Sequence, residues 1–369
     1  MAASITPPGS VFDEPPLTPP PTAEKVLPTN ARRVLNHLER LYRAHHQPNP
    51  WWEVRLGPQI YNQVLSALSV NKSLQAYVEE KIRYDYDIRR HRFIVRMPCP
   101  LHDVFSANVA DGILQQIRQF QRHDSPTGEF ARGLKHYATS RIFLPEESDD
   151  RKQVFTRREP DISFGHDGAL YPGVILEVCY SQKSKSISYL ADDYILNTDG
   201  SINMVIALDI DYRGSQKASF TVWRPDYLKA NGVKELRAKA MIEAEVFRTD
   251  DGSPAEGVAL QIPLRDFAPK ELSQSYGDMD QVISISSRQL CDFLSSAESR
   301  QRVQTQQAGV VNRIDPGTLK RRRPRTPSEH PSSEDERQFN KRIRGNKRNS
   351  QSSDYRPGSS SGDSTTLKM

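Results

Sequence analysis

The sequence predicts a mixed α/β fold with a helical N-terminal extension and disordered ends. Three observations predict it. Apolar residues recur with a helical period through residues 29–81. From Ile82 the period drops to two, as in strands that bury one face. Between residues 103 and 212 the segments then read helix, strand, strand, strand, helix, strand. Helices alternating with apolar strands imply a sheet covered by helices.

Residues 1–28 are rich in Pro and Thr (PPLTPPPT) and lack apolar periodicity, so they read as disordered or extended. Thr29 or Asn30 can cap a first helix, in which Val34, Leu35, Leu38, Leu41 and Tyr42 form one stripe. Gly57-Pro58 opens a second helix carrying Ile60, Val64, Leu65 and Leu68, and Asn71 caps a third that runs to Lys81. Ile82, Tyr84, Tyr86 and Ile88 alternate, as do Phe93, Val95 and Met97, and the turn Arg89–His91 joins them as a hairpin. A helix is expected from Asp103 to about Arg122, and a strand at Ser140–Leu144. A charged loop, Glu146–Glu159, leads to strands at Asp161–Phe164 and Gly173–Tyr180. A helix at Ser188–Leu196 and strands at Asn203–Ile210, Ala218–Trp223, Met241–Phe247 and Val258–Ile262 follow, and Ser286–Ser299 closes as a helix. The expected division is 1–28 disordered, 29–81 helical, 82–300 the α/β domain and 301–369 a disordered basic tail.

The chain has 369 residues and a net charge of +5. From Pro316 onward 13 Lys+Arg face 6 Asp+Glu, whereas the remainder holds 38 against 40. The basic excess therefore belongs to the tail, and the folded part carries no overall sign of a broad phosphate-binding face. Cys99, Cys179 and Cys291 form neither a CxxC zinc pattern nor paired disulfides, which suits a reducing compartment. The first ten residues lack a basic and an apolar signal region, and no apolar run approaches the roughly 18 residues of a membrane span. A soluble protein is expected.

Two carboxylates occupy telling places. Asp161 begins a strand after Pro160, and Glu177 follows the apolar run Val174-Ile175-Leu176. A carboxylate late in a buried strand needs a partner. Two that converge at strand ends can hold a hard divalent cation such as Mg²⁺, which favours oxygen ligands and leaves positions for water and phosphate. The competing reading is a structural salt bridge.

The stretch PDISF…YPGVILEVCYSQ resembles the signature of the PD-(D/E)XK nuclease superfamily, including restriction-endonuclease-type bacterial proteins and fungal proteins with an EV-x-YSQ element. LADDYI…INMVIALDIDY fits the same grouping, and the resemblance spans about residues 82–225. It implies a restriction-endonuclease-like core, a mixed central sheet flanked by helices, and hydrolysis of nucleic-acid phosphodiesters with Mg²⁺ or Mn²⁺. Carried over, Asp161 and Glu177 become metal ligands and the Val178 carbonyl a third. The preceding helix offers Asp111, with Asp103 second. Cys179 is the departure, since the family places a lysine there. Side chains 177 and 179 share a strand face about 6–7 Å apart. A thiol, mostly neutral at pH 7 and soft beside a hard metal, cannot take the lysine's part. Lys183 and Lys185 are candidate replacements, and Gln182 could orient water without a charge.

Other signals narrow the choice. His102, His123, His136 and His166 show neither HxH nor HExxH spacing, and no glycine-rich phosphate loop is present. Trp51, Trp52 and Trp223 are read as core aromatics rather than base-stacking platforms. The tail clusters Lys320–Arg325, Lys341–Arg344 and Lys347-Arg348 read as a nuclear address recognised by the import machinery, or as nonspecific nucleic-acid contact; without that address the protein would be cytoplasmic. Two functions follow as expectations: a Mg²⁺-dependent nuclease, or a nuclease-like fold without catalysis that serves as a nuclear binding module; a third reading, an unrelated α/β structural protein, follows if Asp161 and Glu177 lie far apart.

Overall fold

The computed structural model describes residues 27–43, 51–96, 99–146, 154–180, 184–211, 215–230, 232–307, 309–312, 314–315 and 317–321. Contacts divide the chain into residues 1–309 and 310–369. In the second unit the carbonyl of Asp315 accepts the amide and hydroxyl of Thr318 in a turn. The expected clusters beyond Arg321 lie outside the described residues, as does the Pro-rich start up to residue 26.

The first unit opens with α1 (Thr29–Tyr42), β1 (Trp51–Arg55), α2 (Pro58–Val70), α3 (Lys72–Lys81), β2 (Arg83–Asp87), β3 (Arg92–Arg96), α4 (Pro100–Phe120) and α5 (Pro126–Gly133). Next come β4 (Leu134–His136), β5 (Ile142–Glu146), β6 (Val154–Arg158), β7 (Ile162–His166), β8 (Val174–Tyr180), α6 (Ser184–Leu196) and β9 (Met204–Ile210). It ends with β10 (Ala218–Ala230), β11 (Val233–Arg248), β12 (Ala259–Pro263), a 3₁₀ turn (Leu264–Phe267), α7 (Lys270–Gln274), β13 (Val282–Ser286) and α8 (Ser287–Thr305). None of the described helices is long and apolar enough to cross a membrane.

Among the described residues three sheets form, ordered β1-β3-β2-β6-β5, β11-β10-β9-β8-β7-β4 and β12-β13. In the six-stranded sheet β8 and β9 run parallel, joined by α6, while β7 and β10 flank them antiparallel. Strand parity then sets two faces. Val174, Leu176 and Val178 point into a core shared with α4 and α8, whereas Ile175 and Cys179 point towards α6. Leu176 and Ile206 are fully buried, and each such side chain contributes about 1.5–3 kcal/mol. A third core gathers α1, α2 and α3 onto the β1–β3 ribbon. The mixed α/β architecture expected from the sequence is thus observed.

Several boundaries differ, for local reasons. Neither Thr29 nor Asn30 caps α1. Pro28 takes that position without a side-chain bond, and Asn30 Nδ2 instead donates to the Arg55 carbonyl at 2.9 Å. Asn71 does cap α3, accepting the Leu74 amide at 3.1 Å. The charged segment 146–159, expected as a loop, contains β6, whose Thr156, Arg157 and Arg158 are buried against acids. Its residues 147–153 lie outside the described set. Strand β1 lies within the segment expected to be helical and pairs with β3, Trp52 opposite Val95.

Candidate active site

The carboxylates expected to converge do so, through the strands that carry them. In β7 and β8, Ile162 lies opposite Leu176. Asp161 therefore precedes β7 beside the C-terminal end of β8, and its Oδ2 accepts the Val178 amide at 2.6 Å. The N–H and C=O of one strand residue leave by the same edge, so the Val178 carbonyl shares the Asp161 side. Glu177 has the parity of Ile175, which points it under α6. There Tyr194 donates its hydroxyl to Glu177 Oε1 at 2.8 Å. Asp161 and Glu177 are 6% and 2% exposed, so both charges depend on protein partners.

Those partners come from the hairpin and from the first turn of α4. Arg96 Nη1 lies 3.1 Å from Glu177 Oε2 and 3.5 Å from Asp161 Oδ1, bridging the pair. Its Nη2 bonds Asp85 at 3.2 Å and also the Glu159 carbonyl. Arg83 donates to Asp161 Oδ1 and to the Glu159 carbonyl. His102 Nε2 reaches Asp161 Oδ2 at 2.9 Å. These groups line a cavity of about 150 Å³, whose apolar wall includes Ile94, Ile187 and Leu190.

Electrostatics separate the two acids. Burial alone would raise the Asp161 carboxyl, but His102, Arg83 and Arg96 hold it well below the usual carboxylate range. Burial, followed by the Asp161 charge, pushes Glu177 up to about 7 despite Arg96 and Arg83. Burial would lower His102, yet the Asp161 charge and the bonds to Asp103 and Asp161 lift it to about 9. Near neutrality Asp161 is ionised, His102 is cationic, and Glu177 is poised to gain or lose a proton. Cys179 lines the same cavity, and burial beside Glu177 and Asp161 raises its thiol well above the ordinary value. It is a neutral wall.

The remaining expected residues fall elsewhere. Asp111 is not brought to the cavity. It sits on the solvent face of α4, bonded to Gln115 at 3.0 Å and 4.0 Å from Arg118. Its place in the helix turns it away, because α4 buries Val109, Ala110 and Ile113 instead. Asp103 is likewise largely exposed, beside His102. Gln182 and Lys183 lie outside the described residues; Lys185 falls in α6, its side chain not described. Among the described residues no three His, Cys, Asp or Glu side chains converge as a ready metal cluster.

Sequence reasoning missed Arg83, Asp85, Arg96, His102 and Tyr194. The alternating hairpin pattern held the signal. Tyr84, Tyr86, Phe93 and Val95 pack into the third core, so the opposite parity must carry Arg83, Asp85, Asp87, Arg92 and Arg96. Charges of both signs along one strand face mark a face meant to be paired, whereas a solvated face needs no such balance. No known family model matches the chain, and no curated protein matches it.

Proposed function

We propose that this protein is a Mg²⁺-dependent nuclease of the PD-(D/E)XK type, acting on nucleic-acid phosphodiesters with Asp161, Glu177 and the Val178 carbonyl as the metal-holding oxygens. One observation carries the reading: a single cationic nitrogen, Arg96 Nη1, is held jointly by Asp161 and Glu177. Two carboxylates that share one cation, next to a carbonyl edge, form the hard-oxygen donor set that suits Mg²⁺ or Mn²⁺. The guanidinium stands in for that cation, so occupancy by metal requires Arg96 to withdraw. Among the described residues the Nε atoms of Arg96 and Arg83 are buried without a hydrogen-bond partner, which lowers the cost of such a rearrangement. When bound, the cation neutralises charge on the scissile phosphate and activates water.

The chain's own groups do the positioning. The Val178 amide and His102 fix Asp161, and Tyr194 orients Glu177. Arg83 and a displaced Arg96 supply the phosphate-facing charge that Cys179 lacks, and Lys183, Lys185 and Gln182 are the sequence's candidates to assist them. The basic tail directs the protein to the nucleus through the import machinery.

A second reading rests on a specific observation of its own. Arg83, Arg96 and His102 already balance Asp85, Asp161 and Glu177, which favours a catalytically silent nuclear module that binds without cutting. Incubation of the purified protein with Mg²⁺ or Mn²⁺ and single- or double-stranded DNA and RNA decides between them. The nuclease reading expects cleavage that Glu177→Gln abolishes. Cleavage unchanged by Glu177→Gln sinks the assignment, and no cleavage together with no saturable Mn²⁺ binding leaves the silent module.

A further inference from the structure

We propose that the outer face of α1 is a second contact for the nucleic-acid backbone, formed by Arg33, Arg40 and Arg43 above Trp52. The proposal rests on the nucleic-acid part of the function above and does not require hydrolysis.

Helix α1 has two faces. Ala31, Val34, Leu38 and Leu41 are buried. The opposite stripe, at i, i+3, i+7 and i+10, is Arg33, Asn36, Arg40 and Arg43, all exposed. Together with Glu39 and Trp52 these side chains line an open groove of about 580 Å³. Trp52 is fixed as its floor by stacking on His37, with ring centroids 3.9 Å apart and planes 9° apart. Glu39 is the only acid in the helix, and its contact with Arg43 is long, at 4.0 Å, and exposed, so it offsets little. The sequence just after the helix, residues 44–50, contains no acid.

Helix stability explains only part of this charge. Cations help near a helix C-terminus and oppose the macrodipole near its N-terminus. Arg40 and Arg43 fit that rule. Arg32 and Arg33 break it, in a helix whose first turn has no acid. Charges that cost stability without a ligand are expected where an anion binds. The residue type favours phosphate, since the planar guanidinium matches its oxygens in paired bonds. From Arg33 to Arg43 the helix rises about 15 Å, roughly four nucleotide steps at the rise of one DNA strand.

The groove and the candidate active site meet at the two faces of one strand. Trp51 and Trp52 are neighbours on β1, so they leave opposite faces of the strand. Trp51 lines the cavity of Asp161 and Glu177, and Trp52 lines the α1 groove. Strand β1 is the edge of its sheet. A nucleic-acid strand that crosses this edge touches both sites.

The test is binding of a fluorescent 30-nucleotide oligo-dT to the full chain in EDTA, followed by anisotropy over a range of KCl. Arg33→Gln/Arg40→Gln/Arg43→Gln should raise Kd at least tenfold and flatten the log Kd against log salt slope by about 2, the value for three lost single-strand phosphate contacts. The triple lysine variant should keep most of the slope. Circular dichroism and Tm verify that the variants fold. Unchanged Kd and slope overturn the proposal. So does poly-glutamate competing as well as oligo-dT at equal charge, since that identifies an acidic protein segment as the occupant. The nuclease reading fails separately: absence of cleavage with arginine-dependent binding intact removes hydrolysis alone.

Discussion

Arg96 is the residue on which the charge of the site turns. It bonds Asp85, Asp161 and Glu177 together, so its loss strands buried acids. Removing one partner of a buried ionic group costs about 3–5 kcal/mol. Arg96→Met should therefore lose about that much in urea unfolding with EDTA, and Mg²⁺ or Mn²⁺ should restore more stability to the variant than to the parent. Equal metal effects on both proteins would show that Arg96 does not occupy the cation position. The acids also set a pH dependence. The folded values of His102, about 9 against 6.5, and Glu177, about 7 against 4.5, are both raised. For each, the native state holds its proton more tightly, so stability falls as pH rises. The His102 contribution, about 3 kcal/mol at 1.36 kcal/mol per unit, is fully present below pH 6.5 and lost as pH rises through 9. The shift at Asp161 is opposite, so its contribution is lost as pH falls through the acid range. Urea midpoints for the metal-free protein should thus decline from pH 5 to 9, and His102→Gln should flatten the upper half of that decline. Glu177 was legible because a carboxylate after a buried apolar run is conspicuous, and Asp161 because it opens a strand after Pro160. Their cationic partners were legible only as a set: the hairpin face carries charges of both signs, but no single arginine on it shows which carboxylate it will face.

At the scale of elements, whatever periodicity can specify was legible. Helices α2, α3, α4, α6 and α8 and strands β2, β3, β7, β8 and β9 lie where their apolar residues place them, within a few residues. What failed was order set by tertiary partners. Strand β6 is polar, and it forms because buried acids such as Glu146 and Asp87 receive Thr156 and Arg158. Strands β10 and β11 run on past the apolar segments that announced them, Tyr227 paired with Leu236 and Lys229 with Lys234, as a hairpin held by its own ladder. Close approach is equally invisible in composition. Gly173 begins the turn into β8, and a Cβ there would lie 2.3 Å from the Asp266 carbonyl oxygen and the Phe267 carbonyl carbon. Those are backbone atoms and cannot rotate away. Gly173→Ala should cost about 2–3 kcal/mol, the upper part of the range for overpacking, read as a fall in urea midpoint with an unchanged m-value. A smaller cost than that of Gly57→Ala, where nothing lies within 4 Å, would mean that the 3₁₀ turn shifts freely.

Across the first unit, the five-stranded sheet and the helix α6 that covers the six-stranded sheet meet through buried charge. Arg158 of β6 binds Asp87 of β2 at 2.8 Å and also Asp193 of α6. Arg90 joins the same two acids, at 2.7 and 3.0 Å. Asp193 and Arg158 are 2% and 3% exposed, so neither has water as an alternative partner. The lock has a consequence for the site, because the residue after Asp193 is Tyr194, whose hydroxyl holds Glu177. Ionic bonding across the layers thus fixes the helix that orients one of the two acids. Asp193→Leu leaves Arg158 buried without its partner on α6, and should cost about 3–5 kcal/mol. Adding Arg158→Met removes the stranded charge and should recover part of that loss, because apolar groups of similar volume replace a buried pair at little cost. The coupling in a double-mutant cycle should exceed 1 kcal/mol. Changes that merely add would show that the layers are held by apolar packing alone. Under the coupled outcome, Asp193→Leu should also raise the metal concentration needed for half-saturation, since Tyr194 and Glu177 lose their anchor, while the double variant recovers stability without recovering that affinity.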